Sequence, residues 1–186
     1  LAGWKAYASD IYDGLSLFEH LAIPYSRWHL EIEQAPFEDG FFDAVILSQT
    51  IEHFTYSPRH ALQELIRVVR PGGYLLIDAP NISSFHNISR LVRGKSVHWG
   101  MAEHYLKQEP MVVNGIPFFD RHNHEYAMQD LYDIAHHFEL HIVNRGYYSP
   151  LNRIKNSAAT LAFAHLRDLI PYWRKGLFML YQTPAE

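Results

Sequence analysis

The chain has 186 residues, close to half of them hydrophobic, with 16 Lys plus Arg against 20 Asp plus Glu and a net charge of −4. This is enough chain for one globular domain with a sizeable core, and without a long run of either charge sign it excludes a phosphate-backbone binder, so no nucleic acid is expected as partner. The chain has no cysteine, which excludes a disulfide framework and thiolate metal ligation; no apolar segment approaches the roughly 18–20 residues of a membrane span, so no membrane association and a cytoplasmic setting are expected.

WKAYAS (4–9) reads as a short strand closed by Asp10, and IYDGLS adds turn residues. A brief amphipathic stretch leads to YSRWHLEIE, a strand-like run of weaker alternation. The clearest unit lies between 42 and 80. Asp43 leads into AVIL, the unbroken aliphatic run that a parallel strand covered on both faces requires. A polar loop follows, and then a helix with full punctuation. Ser57 is its N-cap, Pro58 its first position, and Ala61, Leu62, Leu65, Ile66 and Val69 stand at helical spacing. Pro71-Gly72-Gly73 stops it, and YLLIDAP forms a second buried strand, completing a strand–helix–strand crossover.

After Asn81 the pattern loosens. ISSFHNISRLVRG suggests an irregular helix, and residues 95–123 lack a clear period, as an insertion covering a site would. Helical spacing returns in EYAMQDLYDIAHHF; ELHIVNRGYY is a strand, AATLAFAHLRDLI a helix and GLFMLYQT a closing strand. No linker divides the chain, so residues 1–186 form a single domain with 82–125 as an insertion or lid.

In an open parallel sheet the ligand cleft lies beyond the carboxyl ends of the strands. Asp10, Glu31 with Ile32, Ser48 with Gln49, and Pro80 with Asn81 stand at those ends. Ionised carboxylates there accept hydrogen bonds only, which suits a ligand offering hydroxyls and an amine.

The run LEIEQAPFEDGFFDAVILSQTIEHF, followed by SPRHALQELIRVVRPGGYLLIDAPN and covering residues 30–81, resembles the class I S-adenosylmethionine-dependent methyltransferases of the type 11 group. That group combines an acid at the third strand's end, a Pro-Phe turn, an Asp-led fourth strand, Glu-His, a helix ending in Arg-Val-x-x-Pro-Gly-Gly, and a fifth strand ending in Pro-Asn. Weaker likeness extends to HNHEYAMQDL and to LIPYWRKGLFMLYQT.

The resemblance implies an α/β, Rossmann-like, doubly wound and mostly parallel sheet with an antiparallel last strand. It implies S-adenosylmethionine as cofactor and methyl transfer to a small-molecule acceptor. Asp10 with Ile11 would meet the cofactor ribose, Glu31 with Ile32 the adenine, and Ser48, Gln49 and Thr50 would line the cleft. His53 would be the catalytic residue nearest the chemistry.

The pair Glu52-His53 keeps three readings: loop structure, with Glu52 on backbone amides and His53 beneath the cofactor; a base near the transferred methyl; or a metal site. Relatives in quinone biosynthesis that bind a divalent ion carry Glu where this chain has Gln49, a weaker ligand for a hard cation, so no metal is expected. His122, His124 and Glu125 imitate a metal cluster, but that spacing by itself is weak.

One departure is large. Ahead of the Asp10 strand the family carries a first strand and a glycine-rich loop, and neither pattern is found here, so an N-terminally truncated fold is expected. The missing strand is the family's central one, which predicts an altered sheet or a homo-oligomer compensating for it. The alternative function is a non-catalytic methyltransferase-like domain that binds a partner or regulates it.

Overall fold

The computed structural model describes residues 3–12, 15–149 and 166–185. The first unit is β1 (Ala8–Asp10), α1 (Leu15–His20) and β2 (Tyr25–Arg27), with β1 and β2 paired in parallel. The strand expected over YSRWHLEIE is thus much shorter than its pattern suggests. Beyond Arg27 the backbone turns on itself: the amides of Ile32 and Glu33 donate to the His29 carbonyl, and the His29 amide donates to Glu33 Oε2 at 2.5 Å. Such local bonds compete with a ladder and win where no neighbouring strand is at hand. Trp28 then turns inward to pack with Ala35 and Val68.

The central unit follows its sequence closely. β3 (Phe42–Ser48) pairs in parallel with β4 (Val69–Pro80), and α2 (Pro58–Val68) connects them. The Ser57 hydroxyl accepts from the Arg59 amide at 3.4 Å, and Pro58 opens the helix. Val69, predicted on the helix face, is instead the extended C-cap from which β4 begins. Gly73 permits this close return: a Cβ there would lie within 3 Å of Val69 Cγ1, the Arg70 carbonyl and the Asp43 carbonyl.

α3 (Phe85–Val92) follows, then a single π-turn at Ala102–Leu106 and a hairpin of β5 (Met111–Val113) and β6 (Ile116–Phe118) that no periodicity announced. α4 (Met128–His137) leads to β7 (His141–Tyr148), and β8 (Gly176–Gln182) closes the chain's described part. The helix expected over 158–170 lies mostly outside the described residues. The main sheet runs β3-β4-β8-β7, with β8 antiparallel to both neighbours.

Leu75, Ile77, Leu177, Met179 and Tyr181 from this sheet are buried with Leu62 and Leu65 of α2 and Leu131 of α4 in one core. Among the described residues the β1–β2 pair forms its own small sheet, and β3 pairs with β4 alone. The outer part of β3 consequently carries an unusual feature for an aliphatic strand: Ile46 is 67% exposed.

Candidate functional site

The site is assembled from the carboxyl end of β3. Ser48 is followed by Gln49, held at φ 49°, a left-handed conformation that costs a non-glycine residue energy and turns the chain sharply out of the strand. Its side chain explains the turn: Nε2 donates to Asp78 Oδ2 at 2.9 Å and to the Tyr148 hydroxyl at 3.0 Å. The Tyr148 hydroxyl in turn donates to Asp78 Oδ2. Burial, followed by the Asp78 carboxylate, holds the Tyr148 phenol above its usual pKa, so it stays protonated as a donor. Thr50 closes the turn by donating from its hydroxyl to the Ser48 carbonyl at 2.8 Å.

A short 3-10 turn over Ile51–His53 then presents the Glu-His pair. Glu52 is 1% exposed and its Oε2 has no hydrogen-bond partner. Burial pushes its carboxyl up to about 7. The His53 imidazole lies 4.0 Å (Nε2) from Glu52 Oε1 and 3.5 Å (Nδ1) from Asp120 Oδ1. Burial, with the neighbouring His122, holds His53 below the usual histidine range, so it is neutral near pH 7.

The segment 119–125 packs directly on this turn. The Asn123 and His124 amides donate to the Glu52 carbonyl at 2.7 and 3.3 Å, and Asn123 Nδ2 donates to the His53 carbonyl at 3.0 Å. The His122 ring stands edge-on to His53, centroids 4.9 Å apart, and its Nδ1 is 2.8 Å from Glu125 Oε1. The Trp99 ring lies 4.6 Å from that of His122 and walls the cluster. One ligand-type atom from each of Glu52, His53 and His122 falls within 4.8 Å of the others.

Beside the cluster opens a cleft of about 500 Å³ whose lining includes Gln49, Asn81, Arg90, His122, Glu125 and Tyr148. Burial, and then the Asp120 carboxylate that faces His53, hold the Tyr12 phenol above its usual pKa, so the loop after β1 lies near this acid.

Of the residues expected at the strand ends, Asp10 is exposed, with Oδ1 accepting from the Tyr12 amide at 3.2 Å, and its strand partner is Arg27. The Ile11 carbonyl accepts from Arg27 Nε at 3.2 Å. Ile32 donates its amide to His29 inside the local turn. Glu31 is occupied: it is 8% exposed, and Oε2 accepts from the Tyr56 amide at 2.6 Å. Its carboxyl, raised by burial, braces the loop after the Glu-His turn.

Asp78, Tyr148 and Asp120 were missed by sequence reasoning. Asp78 had a visible signal, a lone acid inside the aliphatic run YLLIDAP; Tyr148 and Asp120 had none, since only the fold brings them in.

Residues 4–77 match the protein family described as "Methyltransferase domain". No curated protein matches the chain by sequence. Among solved structures, it is similar to the Haloferax volcanii methyltransferase in complex with the Trm112 methyltransferase activator (TM-score 0.62, 12% identity, 99% of this chain and 74% of that chain). It is also similar to S-adenosylmethionine-dependent methyltransferases from Methanosarcina mazei (0.60, 15%, 98% and 84%) and Mesorhizobium loti (0.60, 11%, 97% and 81%). The chain thus carries a methyltransferase-domain match over residues 4–77 and shares the Rossmann-like fold of S-adenosylmethionine-dependent methyltransferases.

Proposed function

We propose that the chain transfers a methyl group to a small-molecule acceptor bound in the cleft beside Gln49 and His122. The observation that carries this reading is convergence: Gln49 at the end of β3 lines one cleft with His122 and Glu125, from the segment that packs on the Glu52-His53 turn. Residues 82–125, which supply α3, the hairpin and His122, serve as the cover over the acceptor.

S-adenosylmethionine, when bound, supplies the methyl on a sulfonium; the chain's part is to hold and orient. The exposed Asp10 carboxylate, with one oxygen engaged by the Tyr12 amide, fits a ribose diol, and Ile11 gives that sugar an apolar neighbour. Within the turn Ser48-Gln49-Thr50, Gln49 lines the cleft, and Ser48 and Thr50 would shape the cofactor side beside it. Gln49 is fixed by Asp78 and Tyr148, so this wall is organised before anything binds. Glu31 supports the adenine side through the Tyr56 amide rather than by direct contact, with Ile32 next to it. His53 stands nearest the acceptor, and a proton has to leave only where the acceptor is a hydroxyl or similar group.

Calorimetry with S-adenosylhomocysteine tests the reading. Saturable one-site binding is expected, and Asp10→Ala should weaken it about tenfold to a hundredfold, the loss of one charge-assisted hydrogen bond of about 1.5–3 kcal/mol. No binding at millimolar ligand by a folded protein would overturn it. That result favours the second reading, a non-catalytic module that docks a partner on the outer part of β3, where Ile46 is exposed. In the Haloferax volcanii structure a fold of this kind is bound to an activator.

A further inference from the structure

The Glu52, His53 and His122 cluster has features that the methyl-transfer reading leaves unused. Glu52 Oε2 is fully enclosed with no hydrogen-bond partner, and His53 Nδ1 also lacks one. Desolvating a carboxylate oxygen without a compensating donor is costly, so a buried orphan of this kind calls for a missing partner. One ring nitrogen of each imidazole lies within 4.8 Å of a Glu52 carboxylate oxygen. His122 carries the outer contact that orients a metal-binding histidine: its Nδ1 lies 2.8 Å from Glu125 Oε1, which would leave Nε2 to hold an ion. Glu125 is itself buried at 7% exposure, and Trp99 flanks the His122 ring.

We propose that Glu52, His53 and His122 form a binding site for one divalent transition-metal ion of the zinc type. Two neutral imidazoles and one carboxylate suit such an ion better than a hard cation that prefers an all-oxygen shell. The three ligand atoms lie within 4.8 Å of one another; closing the widest separation by about 1.4 Å gives the roughly 3.4 Å spacing of ligands 2.1 Å from a common centre. Gln49 is not part of the set, because its amide is committed to Asp78 and Tyr148. His122 also lines the cleft, so an oxygen of a molecule bound there could complete the shell.

Metal-free protein, prepared by chelation and dialysis, should take up one equivalent of Zn2+ in calorimetry, with a dissociation constant of about 1 μM or tighter. Substituted Co2+ should give the visible absorption of a low-coordinate site. His122→Ala and Glu52→Gln should each weaken Zn2+ binding about a hundredfold, and Glu125→Gln about tenfold. His124→Ala, which removes an exposed ring paired with Asp130, should bind like the parent. Circular dichroism confirms that each variant is folded, and Glu52→Gln preserves side-chain shape for that purpose. Failure of the folded parent to bind Zn2+, or unchanged affinity in His122→Ala, overturns the proposal. The measurement uses no S-adenosylhomocysteine, so either outcome leaves the cofactor test independent.

Discussion

Glu64 and Arg67 show how much one pair of side chains can tie together. Arg67 bonds Glu64 at 2.7 Å, Asp39 at 2.6 Å, and the carbonyls of Phe37 and Ala35, while Glu64 Oε2 also accepts from the Ala35 amide at 2.9 Å. One turn of α2 is thereby fastened to the loop that delivers β3. The Arg67 hydrogen bonds, acting against burial, hold the Glu64 carboxyl below its ordinary 4.5. A depressed carboxylate stabilises the fold above its unfolded pKa and loses that contribution as pH falls through the folded value. Glu64→Gln should therefore cost about 1.5–3 kcal/mol in urea unfolding at pH 7, and the difference from the parent should shrink towards zero near pH 3. Gly176 offers a second test. A Cβ there would come within 2.5 Å of the Tyr148 ring, so Gly176→Ala should displace the phenol from Asp78 and Gln49 and loosen the cleft wall. The expected result is at least about tenfold weaker S-adenosylhomocysteine binding with the fold retained, and a crystal structure would show the moved ring.

The elements that hold the site differ in how they were encoded. α2 carries its own start and stop, and its apolar face meets β4 and α4 through Leu62 and Leu65, which are 2% and 6% exposed. Leu62→Ala should destabilise the protein by about 2–5 kcal/mol, the range for emptying a filled core position, as a thermal or urea melt would show. The 3-10 turn of Glu52 and His53 has no such independence. Its peptide groups are met by Asn123 and His124, seventy residues later in the chain, so its shape is imposed by tertiary contact. The hairpin of β5 and β6 is anchored in the same way, with the Tyr56 hydroxyl donating to the Pro117 carbonyl and the Phe119 amide to Thr55 Oγ1.

At the scale of the molecule, the sheet is in two parts among the described residues. β4 and β8 lie inside the four-stranded sheet, whereas β1 and β2 bond only to each other. Hydrogen exchange should rank them accordingly: amides of Leu75 to Ala79 and Leu177 to Tyr181 slowest, those of Ser9, Asp10 and Ser26 fastest among the strands. Equal protection in both sheets would mean that the small pair is secured by contacts beyond those described. No helix among the described residues is long and apolar enough to cross a membrane.

The sequence by itself determined the βαβ unit between 42 and 80, the helix at 128–137 and the closing strands, because each rests on local periodicity and turn chemistry within a few dozen residues. It located the Glu-His pair and marked Asp10 and Gln49 as strand-end groups. It could not decide what those groups touch. Glu31 faces the Tyr56 amide instead of open cleft, Gln49 is locked by Asp78 and Tyr148, and His53 meets His122 and Asp120. Each is a contact between residues 25 to 99 positions apart, and no local pattern specifies such pairs. Only the closed fold brings a late loop onto an early turn and so decides which carboxylate is occupied and which is left waiting for a partner.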